Sequence, residues 1–133
     1  MSQSVVCWRG IAFEDLCIRH MSQIKKALGI SGVITSQSSW IVPGSENEAG
    51  MQIDLLINRN DNIVNMCEMK FYHEDFTVNG EYNKKIASRA NKLHEDLPKK
   101  YAVHSTLITT YGLTYNEYSG AFQQVITLEE LFS

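Results

Sequence analysis

Two apolar segments with charges set inside them constrain this chain more than any other feature. Residues 51–58 and 63–71 are rich in Ile, Leu, Val, Met and Phe, and Arg59-Asn60-Asp61-Asn62 lies between them. The flanking runs have strand composition and the intervening four residues are turn formers, so the region predicts a β-hairpin. Asp54 lies seven residues before Asp61 and Glu68 seven after it. A turn centred on Asp61 therefore sets Asp54 directly opposite Glu68, with Cβ atoms about 4.5–5.5 Å apart. The same register sets Gln52 opposite Lys70. Because side chains alternate along a strand, Gln52, Asp54, Glu68 and Lys70 are expected on one face. Ile53, Leu55, Ile57, Cys67 and Met69 then take the other face, as core.

Two opposed carboxylates repel, and burying them unpaired costs several kcal/mol. Something positive must lie between them. Lys70 can do this as a plain ion pair. So can a divalent cation, because Mg²⁺ is commonly held by one or two carboxylates with waters and phosphate oxygens. The apolar frame of Ile53-Asp54-Leu55-Leu56-Ile57 and Met66-Cys67-Glu68-Met69-Lys70-Phe71 favours a site over a solvated face.

The rest of the chain supplies elements to pack on this hairpin. Phe13, Cys17, His20, Ile24 and Leu28 recur at helical spacing, predicting one helix over residues 10–28 that stops at Gly29. Residues 33–42 predict a strand that ends at Pro43-Gly44. Tyr82, Ile86, Ala90, Leu93 and Leu97 form the apolar stripe of a second helix that starts near Asn79 and ends at Pro98. Residues 103–111 and 121–127 predict two more strands, and residues 128–132 a terminal helical turn. The order α-β-β-β-α-β-β-α predicts an α/β (α+β) domain with a central mixed sheet flanked by helices. With 133 residues there is room for one such domain.

The formal charge of −3 argues against a nucleic-acid partner until its distribution is considered. Six of the twelve basic residues, Lys84, Lys85, Arg89, Lys92, Lys99 and Lys100, fall within residues 84–100, opposed there only by Glu95 and Asp96. Lys85, Arg89 and Lys92 flank the apolar stripe on one side. That side reads equally well as a solvated helix face and as a surface for a phosphate backbone. Tyr82, in the first turn, reads as a core tyrosine ahead of a substrate contact.

Three cysteines, Cys7, Cys17 and Cys67, are an odd number without CxxC spacing, which points to a reducing compartment. Cys67 alternates inward and reads as core. His20, His73, His94 and His104 have no ligand spacing, and Trp8 and Trp40 read as packing residues. No apolar run approaches a membrane span, and no basic segment followed by an apolar stretch opens the chain, so a cytoplasmic location is expected.

Asp54 followed by Glu68-Met69-Lys70 on the next strand resembles the PD-(D/E)xK nuclease superfamily, the restriction-endonuclease-like fold, whose core order is α-β-β-β-α-β. Gly10-Ile11-Ala12-Phe13-Glu14, the helix end at residues 23–30, Gln52-Ile53-Asp54-Leu55-Leu56-Ile57 and Leu131-Phe132 resemble one group within it. That group is the domain that follows a P-loop ATPase module in many bacterial and archaeal proteins. The resemblance implies a metal-dependent DNA endonuclease using Mg²⁺ or Mn²⁺. Asp54, Glu68 and Glu14 would be metal ligands, with the Met69 backbone carbonyl a further one. Lys70 would orient or deprotonate the attacking water, and Gln52 would support the site or touch phosphate. Lys85, Arg89, Lys92 and Tyr82 would meet the nucleic acid. Ile53 stands where the family pattern has proline, a departure many members share. No GxxxxGK[ST] segment is present, so ATP-driven activity would come from an ATPase domain elsewhere in a longer parent chain. A homodimer would let both strands be cut. The alternatives are a catalytically idle module that binds nucleic acid or docks on the ATPase, and a structural ion-pair network.

Overall fold

A computed structural model describes residues 3–133, with side chains from residue 10 onward. The side chains of Cys7 and Trp8 lie outside the described residues. The chain runs α1 (Gln3–Arg19), α2 (Met21–Leu28), β1 (Thr35–Val42), β2 (Met51–Arg59), β3 (Ile63–Lys70), α3 (Gly80–Asp96), β4 (Ala102–Thr109) and β5 (Gln124–Thr127). Short 3-10 helices at Ser119–Ala121 and Leu128–Phe132 flank β5. The five strands form one sheet in sequence order. β1, β2 and β3 pair antiparallel, whereas β3, β4 and β5 pair parallel, with α3 as the crossover between β3 and β4. The sheet is thus mixed and flanked by helices, as expected.

Both faces of the sheet are covered. Phe13, Cys17, Ile24 and Leu131 pack with Leu55, Ile57, Cys67 and Ile108 on the α1/α2 face. Ile86 and Leu93 of α3 pack with Ile53, Leu56, Val64, Met66 and Leu107 on the other. The hairpin residues expected together on one core face are therefore corrected: Ile53 lies on the α3 face, while Leu55, Ile57 and Cys67 lie on the α1/α2 face. A sheet with a parallel β3-α3-β4 unit carries a helix on the face opposite α1, and apolar residues are needed on both sides.

The predicted single first helix is also corrected. It extends back to Gln3 and breaks at His20, whose backbone (φ −108°, ψ 36°) leaves the helical region. The apolar spacing runs on across the break, so Ile24 still packs beside Cys17. Gly29 ends α2 in the left-handed conformation (φ 74°), which glycine adopts without strain. Its N–H and that of Ile30 donate to the carbonyls of Lys26 and Lys25.

The hairpin takes the expected register: Leu55↔Cys67, Leu56↔Met66, Ile57↔Asn65 and Asn58↔Val64. Asn62 takes a left-handed backbone (φ 67°), a conformation asparagine tolerates better than most residues. Arg59 clamps Asp61 through two bonds of 3.0 and 2.6 Å, and this hydrogen bonding holds the Asp61 carboxyl below its ordinary range. Arg59 also donates to Asn65 Oδ1 at 3.2 Å. The fully buried Asn65 amide donates in turn to Thr106 Oγ1 (3.0 Å) on β4 and Gln124 Oε1 (2.8 Å) on β5. One side chain thereby ties three strands. Asn65→Ala strips partners from Arg59, Thr106 and Gln124 at once. It is expected to cost about 2–3 kcal/mol in urea-induced unfolding.

Candidate active site

The site lies where β2 begins and β3 ends. Antiparallel pairing stops at Leu55↔Cys67, one step short of Asp54 and Glu68. On the other side of β2 the register shifts: Ser38 pairs with Leu56 but Trp40 pairs with Ile53. Two steps along β1 match three along β2, so β2 carries one extra residue at Asp54-Leu55. Such a bulge breaks the alternation of side chains and re-aims one of them. This is why Ile53 packs on the α3 face with Leu56, while Leu55 packs on the α1 face.

The bulge changes the company Asp54 keeps. Its carboxylate lies close enough to Glu14 of α1 to share a proton, and Gln52 Nε2 donates to Asp54 Oδ1 at 2.8 Å. Glu68, 8% exposed, instead accepts from Arg89 Nη1 of α3 at 2.7 Å. Asp54 and Glu68 thus take different partners, Gln52 for the one and Arg89 for the other. The extra residue in β2 interrupts the regular alternation beside Asp54.

Glu14, Asp54, Lys70 and Glu68 are nonetheless neighbours. Partial burial raises the Glu14 pKa, and the charges of Asp54 and, more weakly, Glu68 raise it further, while Lys70 lowers it. Lys70 Nζ sits 5.7 Å from the ring centroid of Tyr82. Met69 packs against the α1-face core. Among the described residues no group of three or more His, Cys, Asp or Glu side chains is assembled to hold a metal ion. Glu14 and Asp54 are a two-carboxylate donor set, which suits a Mg²⁺ ion that completes its shell with water. Arg89 bonds only one of the two Glu68 carboxylate oxygens, Oε1.

The residues expected to meet nucleic acid separate. Arg89 points inward to Glu68 and is largely buried (15% exposed), so it is not part of an open phosphate-binding side. Tyr82 packs between Phe76 and Phe122, and its hydroxyl is buried without a hydrogen-bond partner. Lys85 is exposed. Lys92 lines a cleft of about 690 Å³ with Lys84, Ser88 and Asn91, facing Glu48 and Met51 across it. Lys84 was not singled out from the sequence, although it sits two turns before Lys92 on the same side of α3. Burial pushes the Cys17 thiol up to about 12 and raises that of Cys67 as well. Neither is a nucleophile at neutral pH.

No known protein family and no curated protein matches the chain. In fold it is similar to a solved structure titled "Crystal Structure of Protein of Unknown Function AF1548", with a TM-score of 0.51 and 19% identity. The match covers 87% of this chain and 64% of that one, so this chain spans less than two thirds of its neighbour. The likeness bears on the fold alone. Among the described residues, no helix is long and apolar enough to cross a membrane.

The Glu14–Asp54 contact makes a prediction about pH. A carboxyl whose folded pKa is raised binds more protons in the native than in the unfolded state, so stability falls as pH rises between the two values. The melting temperature of metal-free protein should therefore fall, relative to Glu14→Gln, as pH rises through and above 4.5. Mg²⁺ should restore the wild type and leave the variant unchanged.

Proposed function

We propose that this domain is a metal-dependent nuclease of the PD-(D/E)xK type that hydrolyses phosphodiester bonds in DNA. The observation that carries the reading is the pair of carboxylates, Glu14 and Asp54, brought into contact at the open end of the hairpin with Lys70 beside them. Two acids held together are unfavourable without a cation, and a divalent metal held beside a lysine suits phosphodiester hydrolysis.

Asp54 and Glu14 would hold Mg²⁺ or Mn²⁺, with Glu68 and the Met69 carbonyl available as further oxygen donors. The bound ion would polarise phosphate and acidify water. Gln52 fixes one oxygen of Asp54 and so its direction. Lys70 orients the attacking water, helps remove its proton, and offsets the negative charge that develops on the phosphate. Arg89 positions Glu68 rather than binding the backbone. Lys84 and Lys92, which line the cleft beside Met51, would receive phosphates, with Lys85 exposed on the same helix. Such contacts give salt-dependent affinity without base preference. An ATPase domain in a longer parent chain would supply any ATP-driven movement, and a homodimer would present two sites. The second reading, an idle module, is favoured by one observation only: Glu68 is engaged by Arg89.

Cleavage of labelled DNA with Mg²⁺ or Mn²⁺ tests the proposal. Asp54→Ala and Lys70→Ala should each lower kcat by at least about 100-fold, a typical loss for a group acting on the transferred proton or the developing charge. Activity that survives both changes removes the assigned site.

A further inference from the structure

Beyond Lys70 and Thr109 the parallel strands β3 and β4 end together, and their loops leave side by side. The loops are tied rather than loose. Tyr72 N–H donates to Thr110 Oγ1 (2.9 Å), Phe76 N–H to the Gly112 carbonyl (2.8 Å) and Thr114 N–H to the Phe76 carbonyl (2.8 Å). Thr77 and Thr114 hydroxyls are bonded at 2.9 Å. Between the loops lies a cleft of about 520 Å³, lined by His73, Glu74, Asp75, Thr77, Tyr111 and Thr114.

This end of the molecule exposes aromatic rings that a folded domain has no internal use for. Tyr111 is 59% exposed and Tyr115 95%. His73 stacks on Tyr72 at 4.7 Å, Tyr72 meets Phe76 at 5.9 Å, Phe76 meets Tyr82 at 5.3 Å, and Lys70 Nζ lies against the Tyr82 ring. An unbroken row of rings thus leads from Lys70 to the cleft.

Resting on the nuclease reading, we infer that this cleft is a nucleobase subsite that takes an unpaired base of the strand to be cut. The walls supply what a base needs: the Tyr111 and His73 rings for its faces, and Asp75 and Glu74 as acceptors for an exocyclic amino group. Base–aromatic stacking is open to any base but requires a free π-face, which a base inside a duplex does not offer. The same carboxylates repel phosphate, so the backbone stays on the side of Lys70 and the α3 cleft. The substrate class is therefore single-stranded, flapped or frayed DNA rather than blunt duplex.

The test compares wild type, Tyr111→Ala and Tyr111→Phe on one mixed-sequence oligonucleotide, presented as a single strand and as a blunt duplex, with Mn²⁺. Wild type should cut the single strand in preference. Tyr111→Ala should raise KM for that strand about tenfold, the loss expected for one stacked base, with kcat unchanged. Tyr111→Phe should behave as wild type. His73→Ala, in the same cleft, should repeat the Tyr111→Ala result. A wild type that cuts blunt duplex as well as single strand, or a Tyr111→Ala protein with unchanged KM, overturns the subsite and leaves the nuclease reading standing. A wild type that cuts neither form overturns both.

Discussion

A carboxylate buried at the end of a central strand is stable only with a cation held against it. Glu68 is such a carboxylate, and Arg89 meets it at 2.7 Å with both side chains largely out of water. Removing one partner of a buried pair leaves an uncompensated charge, typically at a cost of about 3–5 kcal/mol. The bond joins the middle of α3 to the end of β3. Other features follow from that placement. Ile86 and Leu93 fill the α3-face core, and Asn79 caps the helix by accepting from Tyr82 N–H at 2.8 Å. Tyr82 is set beneath Lys70. With Glu68 satisfied by Arg89, Lys70 is left for Asp54, Glu14 and whatever enters between them.

The strands, the hairpin turn and α3 were legible because their signals are local. Apolar spacing and turn chemistry within residues 51–71 suffice to set the pairing of Leu55 with Cys67. The bulge was not legible, because an extra residue in β2 exists only relative to β1, as the shift from Ser38↔Leu56 to Trp40↔Ile53 shows. Asp54 was therefore placed at the right strand end, but without the irregularity beside it. The break at His20 was hidden for the opposite reason: Cys17, His20, Ile24 and Leu28 keep helical spacing straight across it. Arg89 shares a flank of α3 with Lys85 and Lys92, and spacing does not say which edge of the stripe turns inward. That depends on how α3 packs against the sheet. The cleft beyond β3 and β4 was illegible because it is made by two loops far apart in sequence.

The bulge and the ion pair divide the acids of the site between two environments. Glu68 is neutralised within the protein. Glu14 and Asp54 are not, and partial burial together with the Asp54 charge raises the Glu14 pKa. A carboxyl perturbed both by partial burial and by a neighbouring charge, as Glu14 is, marks a candidate functional group. The clefts on either side carry complementary chemistry, lysines toward α3 and aromatic rings beyond β4. A strand lying across the end of the sheet would meet charge for its phosphates first and rings for its bases next.

The central claim is that Glu14 and Asp54 form a seat for one divalent cation. Mn²⁺ titration followed by electron paramagnetic resonance reads this without any need for turnover. One ion bound per chain, lost in Asp54→Asn and weakened at low pH, is the predicted result. Equal Mn²⁺ binding by wild type and Asp54→Asn would contradict it.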